Sequence, residues 1–200
     1  MAAETSAWTS FYKEGATLET FFGTLAHHEP LMRALLADRP GTALEAGSGP
    51  AIMSSFLQMA GIQTIAVDND PGVLKVARES AGRWGVQPEF VEHDIFALES
   101  LGRSVDVVFS QGVLEHFDDA QIRKATEQSL AIAPKFVFSV PSKWYGHKDY
   151  GNERLMLAPE WESILSGLGK VTTEPYLFAR RRYTYALKKP LMLLVTVERS

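Results

Sequence analysis

Thr42-Ala-Leu-Glu-Ala-Gly-Ser-Gly-Pro-Ala51 reads as a short buried strand, Thr42 to Ala46, that ends on a glycine turn and passes into a helix from about Pro50 to Ala60. Gly47 and Gly49 permit positive φ and let a ligand approach the backbone closely. Proline at a first helical position suits a helix start, and the free N–H groups of that helix would aim at the same spot. Alone, such a turn is also compatible with a plain tight connection.

Reading outward, strands and helices alternate. Gly61 ends the first helix, and Ile62 to Val67 is a second strand. Asp70 and Pro71 form an N-cap and first-turn pair for a helix reaching about Trp84. Glu89 to Glu92 is a third strand, with a short helix after Asp94. Val105 to Ser110 is a fourth, Asp118 or Asp119 caps a helix to about Ile132, and Phe136 to Val140 is a fifth. A helix from Pro159 precedes two last strands, about Val171 to Phe178 and Leu191 to Val197. Ahead of all this, Thr17 to Ala37 carries apolar residues at helical spacing and is expected to form one helix. The alternation means parallel βαβ units with helices on both faces of an α/β doubly wound sheet. Ligands in such sheets bind at the carboxyl ends of the strands near the switch point. Glu45 to Gly49, Asp68, Asp94 and the Ser110 to His116 segment all fall at such ends. The whole chain, 1–200, reads as one unit, with 1–40 a helical cap segment and 41–200 the core.

Composition bounds the chemistry. The chain has 200 residues, 46% apolar and 22% charged, ordinary globular values that exclude disorder throughout. With no cysteine, disulfides, Cys-ligated zinc, iron–sulfur clusters and thiol nucleophiles are excluded; no metal is expected. Net charge is −4, which argues against broad binding to a phosphate backbone. No apolar run reaches the length of a membrane span, and Met1 to Ser10 lacks the pattern of a signal peptide, so no membrane partner and a cytoplasmic location are expected. The charge is uneven: Lys170 to Ser200 holds seven basic and two acidic residues. Arg180, Arg181, Arg182, Lys188 and Lys189 carry most of that excess, either as a solvated hairpin loop or as a contact for an anionic substrate.

Asp68 lies 21 residues after Gly47, at the end of the second strand, where a carboxylate can accept hydrogen bonds from ribose hydroxyls. Asp70 already fills the role of N-cap there, so an adenosine-containing cofactor is favoured. The dinucleotide fingerprint asks for a third glycine where Ile52 stands. A carboxylate at Glu45 would also repel a diphosphate and attract a sulfonium or ammonium. That choice of sign favours S-adenosylmethionine over NAD.

From Leu44 to Pro141 the chain resembles the class I S-adenosylmethionine-dependent methyltransferases. Glu45, Gly47 and Gly49 match the first motif, with Ala51 in place of the third glycine. The resemblance implies a Rossmann-like sheet of seven strands, mostly parallel, with an antiparallel last strand entering between the fifth and sixth. It further implies that the loop Glu45, Ala46, Gly47, Ser48 and Gly49 packs against the methionine part of the cofactor, with Glu45 reaching its amino group. By the same resemblance Asp68 binds the ribose and Asn69 borders the adenine. Asp94 takes the adenine amino group, Ile95 packs on the ring, and Ser110, Gln111 and Gly112 lie under the methionine moiety.

Methyl transfer is an in-line displacement in which the cofactor carries the hard chemistry and the protein aligns. His116, after the fourth strand, is the candidate general base for a hydroxyl acceptor, or else a residue that orders the next loop. The connection Pro141 to Arg154 is long and carries Trp144, Tyr145, His147 and Tyr150; it is a lid over the acceptor or a surface loop. Trp8, Phe11 and Tyr12 either close the site from the opposite side or pack on the domain, with Tyr12 the candidate acceptor contact. The Asn/Asp-Pro-Pro-Tyr signature is absent, since Ser110-Gln-Gly-Val113 stands there. A small-molecule acceptor is therefore expected ahead of tRNA or a protein side chain. The alternatives are a non-catalytic S-adenosylmethionine-binding protein and an NAD(P)-dependent oxidoreductase.

Overall fold

In the computed structural model, which describes residues 7–178 and 189–199, seven strands form one sheet in the order β3-β2-β1-β4-β5-β7-β6. The strands are β1 (Thr42–Ala46), β2 (Gln63–Asp68), β3 (Glu89–Glu92), β4 (Val107–Gln111), β5 (Lys135–Pro141), β6 (Lys170–Phe178) and β7 (Pro190–Glu198). β1 to β5 pair in parallel, and β7 lies antiparallel between β5 and β6, as the resemblance implies. Helices α1 (Ala7–Phe11), α2 (Leu18–His27) and α3 (Glu29–Leu36) precede the sheet. They are followed by α4 (Ile52–Met59), α5 (Pro71–Arg83), α6 (Asp119–Ile132) and α7 (Ala158–Leu165).

Successive residues of a strand face opposite sides, and β1 shows how that sorts the layers. Ala43 joins the cluster formed by Leu31 and Leu35 of α3 with Met53 and Leu57 of α4. Leu44 and Ala46 join the cluster of Leu98, Ile122 of α6, and Trp161 and Leu165 of α7. Glu45 falls on the α4 side by this alternation. Among the described residues no helix is long and apolar enough to cross a membrane.

Several expectations need correction. The single helix over Thr17 to Ala37 is two, broken at His28 (φ −107, ψ 27), with Pro30 in the first turn of α3. Proline has no N–H to donate, and its ring clashes with the carbonyl four residues back, so a continuous helix cannot pass through Pro30. Leu31, Met32 and Leu35 of α3 pack in one cluster with Met53, Leu57 and Phe109. Helix α4 starts at Ile52, not Pro50, because Ala51 adopts a left-handed conformation (φ 54, ψ 38). That is the position where the related motif has its third glycine, and an L-residue there carries roughly 1–2 kcal/mol of strain. Arg180, Arg181, Arg182 and Lys188 lie outside the described residues.

The order of strands reverses between β1 and β4, with β2 and β3 on one side and β5 on the other. Ligand crevices in such sheets open at this switch point, outside the carboxyl ends of the strands.

Candidate functional site

The turn after β1 is held at the end of β2: the N–H groups of Gly47 and Ser48 both donate to Val67 O at 2.9 Å. Asp68 ties the same turn from the side. Its Oδ2 accepts from Gly49 N at 3.1 Å and its Oδ1 from Asp70 N at 3.1 Å. Burial raises its carboxyl above the usual range, although the three backbone N–H bonds it receives work against that. Asp70, as expected, caps α5, accepting from Gly72 N and Val73 N. Asp94 starts the 3-10 turn Ile95–Leu101 by accepting from Phe96 N at 2.9 Å.

These groups converge on one cavity of about 450 Å³. Gly47, Gly49, Asp68, Asn69, Asp94, Ile95, Gly112 and His116 all line it, as does Tyr12. Four strand ends thus contribute to a single crevice, with the polar residues where the sequence puts them. A Cβ on Gly47 (φ 72) would stand 2.8 Å from Val113 Cγ2, so the close approach of the two loops needs glycine there. Gly112 N donates to Ser139 O, so that N–H is not available to a ligand.

Ser48, Gln111 and Glu45 line, with Gly47, Gly49 and Tyr12, a second cavity of about 230 Å³; Gln111 also borders a third with Gly112 and His116, while Ala46 is packed in the core. The side chain of Tyr12 stands against Gly49, where a Cβ would meet its Cζ and hydroxyl at 3.1 Å. Glu45 is tied to α4. Its carboxyl is fully buried under α4 and accepts from Ser54 N at 3.0 Å and Ser54 Oγ at 2.5 Å. Burial pushes its pKa up to about 8, against the two Ser54 bonds. One free N–H of α4, that of Ser54, therefore meets Glu45.

A smaller chamber of about 160 Å³ adjoins the main cavity and shares Trp8, Tyr12, Gly112, His116 and Tyr150 with it. The N-terminal helix and the long loop after β5 meet above both. Trp8 of α1 stacks on Tyr150 at 4.0 Å between ring centroids and 10° between planes, with His116 edge-on to each at 5.2 and 5.8 Å. Thr9 Oγ1 donates to Asp70 and fixes α1 to the start of α5. His116 Nδ1 lies 2.5 Å from Asn152 Oδ1. An amide oxygen only accepts, so Nδ1 carries the hydrogen in this contact.

Tyr145 and His147 line the smaller chamber. Trp144 does not line either cavity. It faces outward, 38% exposed, with Lys189 Nζ 4.0 Å from its ring centroid; the cation and solvent are its surroundings.

Three residues of this region were not singled out by sequence. Glu115 is 3% exposed, and its Oε2 has no hydrogen-bond partner. Burial pushes its pKa up to about 8, with the charges of Glu153 and Asp149 adding to the shift. Glu153 is also buried, but N–H bonds from Tyr150 and Gly151 and the nearby His116 more than offset that burial, and its carboxyl sits below the ordinary value. Asn152 orients His116. The signal for Glu115 was its place beside His116 at the end of β4; nothing local marks the other two.

The raised carboxyls predict a pH dependence of stability. Folded Glu45 and Glu115 hold protons up to about pH 8 that the unfolded chain releases near 4.5, so their contribution is complete below that and lost as pH rises through 8. His28, depressed to about 3 by burial and then by His27, acts oppositely, but only below about pH 6.5. Between pH 6.5 and 8 unfolding free energy is expected to fall, by at most about 1.4 kcal/mol per pH unit for each carboxyl. Urea unfolding across that range checks it, and Glu115→Gln should flatten part of the slope. A stability that climbs with pH would contradict the account.

Comparison with known proteins gives a consistent reading. A family model described as a methyltransferase domain matches residues 43–133. A methyltransferase of Mycobacteroides abscessus, itself uncharacterised, is 32% identical over 122 residues, covering 56% of this chain and 46% of that protein. The ribosomal protein L11 methyltransferase of Thermus thermophilus is 37% identical over 86 residues, 40% of this chain and 34% of that protein. The chain thus matches less than half the length of either relative. Among solved structures, a Pyrococcus horikoshii protein superposes with a TM-score of 0.75 at 14% identity, covering 96% of this chain and 99% of that one. The magnesium protoporphyrin IX methyltransferase of Synechocystis, solved with S-adenosylhomocysteine, gives 0.71 at 20% identity, covering 96% and 92%. At such identities the likeness is one of fold.

Proposed function

We propose that this chain, which matches a methyltransferase-domain model over residues 43–133 and shares the fold of solved methyltransferases, is a class I S-adenosylmethionine-dependent methyltransferase that moves a methyl group from S-adenosylmethionine to a small-molecule acceptor. The observation that carries this reading is the convergence of Asp68, Asp94 and the glycine turn on one cavity at the switch point. A carboxylate on the second strand, a second one after the third, and a turn without side chains suit a ribose, an adenine amino group and a thioether chain in that order. Asp68 would accept from the ribose hydroxyls while still holding Gly49 N. Asp94, with Oδ1 on Phe96 N, would offer Oδ2 to the adenine amino group beside Ile95. Gln111 and the glycine turn would hold the amino-acid end. When bound, the cofactor supplies a methyl group activated on a sulfonium.

The protein's own contribution is alignment, water exclusion and movement of a proton. His116 lines both cavities, and its Nε2 is free to take the proton of an acceptor as the methyl arrives. The Trp8–Tyr150 stack roofs the junction. The small chamber supports an acceptor of modest size over a tRNA or a protein side chain, and the relative that acts on a ribosomal protein matches over only 34% of its length.

The test is Asp68→Ala. Affinity for S-adenosylhomocysteine, measured by calorimetric titration, should fall by about 1–3 kcal/mol through lost hydrogen bonds. Unchanged affinity would remove Asp68 from the site.

A further inference from the structure

Glu115 has no role in the fold that its surroundings explain. It is 97% buried, since 3% is exposed, its Oε2 lacks any partner, and it lines the chamber beside the cofactor cavity. Buried polar atoms are almost always paired, and one that is not asks for a missing partner. Leaving a buried carboxyl unpaired costs free energy that a methionine or leucine at this position would avoid.

The other carboxylates of the chamber are engaged. Glu153 accepts from Tyr150 N and Gly151 N. Asp149 accepts from the Tyr145 hydroxyl at 3.2 Å and pairs with His147 Nε2 at 2.8 Å. Among the described residues no lysine or arginine lines the chamber; its basic side chains are histidines, of which His147 pairs with Asp149, and none bonds Glu115 Oε2. Aromatic rings make up much of the remaining wall, with Trp8, Tyr12, Tyr145 and Tyr150 among them. Carboxylates and aromatic rings together attract an organic cation, the one by charge and the others by their negative faces. Among the described residues no group of three or more His, Asp or Glu could hold a metal ion.

We propose that the chamber is the acceptor subsite and that it takes a primary or secondary amine, with Glu115 Oε2 as the counter-ion of the ammonium. This rests on the methyltransferase reading and adds the class of acceptor to it. A volume of about 160 Å³ is close to the roughly 150 Å³ that holds a benzene-sized group, so the amine is carried on a single ring or a short alkyl chain. The proton that burial keeps on Glu115 passes to the incoming amine and leaves a carboxylate–ammonium pair, because an opposite charge within contact favours the ionised carboxylate. His116 Nε2, on the shared wall, is then placed to accept a proton from the same amine.

The experiment uses protein saturated with S-adenosylhomocysteine, after its binding has been measured. Benzylamine and phenethylamine are titrated beside their alcohol and carboxylic acid counterparts by calorimetry. The amines are expected to bind at least tenfold more tightly than their counterparts. Glu115→Gln should remove that preference while S-adenosylhomocysteine affinity stays within about threefold, and Glu115→Asp, which keeps the charge, should retain part of it. Equal or tighter binding of the alcohols or acids would overturn the inference, as would an amine preference that survives Glu115→Gln. Failure of S-adenosylhomocysteine to bind would overturn the cofactor reading and this one together. Its binding without any amine preference overturns this one alone.

Discussion

Replacing Gly47 by alanine is expected to disable the cofactor site and destabilise the fold at once. The residue sits at φ 72, and an added Cβ would lie 2.8 Å from Val113 Cγ2 and 3.0 Å from Cγ1. The left-handed backbone costs an L-residue about 1–2 kcal/mol, and forcing a methyl group against a packed side chain typically costs about 1–3 kcal/mol more. Val113 cannot turn away cheaply, because a β-branched side chain has few χ1 states. Its backbone follows Gly112, whose N–H is fixed to Ser139 O. The summed loss is about 2–5 kcal/mol, or a fall in Tm of roughly 4–20 °C for a chain of this size. The turn that lines the cavity must shift by the same contact, so S-adenosylhomocysteine affinity should fall at least tenfold. Thermal unfolding and calorimetric titration of the variant measure both. Wild-type values for the two would mean that the approach of the glycine turn to Val113 is not what shapes the site.

His116→Ala is expected to have the larger effect on catalysis. A positioned general base typically contributes about 10²–10⁴ in rate. His116 is positioned twice, by Asn152 at Nδ1 and by the edge contacts to Trp8 and Tyr150. Single-turnover methyl transfer should therefore slow by about that factor, while S-adenosylhomocysteine affinity changes little. Added imidazole should restore part of the rate, which it would not do if the loss came from a loosened roof. An unchanged rate would make His116 a residue that orders the loop, with the acceptor reacting unaided.

Much of this was legible in the sequence, for a physical reason. The turn at Gly47 and Gly49, the cap at Asp70 and the cap at Asp118 or Asp119, of which the structure uses Asp118, are local devices fixed by a few neighbouring residues. Alternation of strands and helices then determined which ends gather at the switch point. Where the reading failed, the deciding contact was distant or steric. The Ser54 contact of Glu45 was not foreseen, because the side on which a strand residue falls depends on register, and β1 places it under α4. Pro30 breaks a helix that periodicity drew as continuous. The left-handed Ala51 moves the start of α4, although the proline before it looked like a first helical residue. Trp144 and Tyr145 are neighbours in sequence, yet only Tyr145 reaches the smaller chamber. Glu115, Asn152 and Glu153 acquire their roles only when the loop after β5 folds back over β4, a contact separated by about 36 residues.

The most direct test of the central claim is a calorimetric and thermal-shift comparison of S-adenosylhomocysteine, S-adenosylmethionine and NAD(P)H on the whole chain. A ligand at a hundred times its dissociation constant adds about 2.7 kcal/mol, or roughly 5–10 °C for 200 residues. The two adenosyl-sulfur ligands are expected to bind and raise Tm by that amount, with NAD(P)H leaving it unchanged. A shift with NAD(P)H alone, or with none of the three, would contradict the assignment of the cavity.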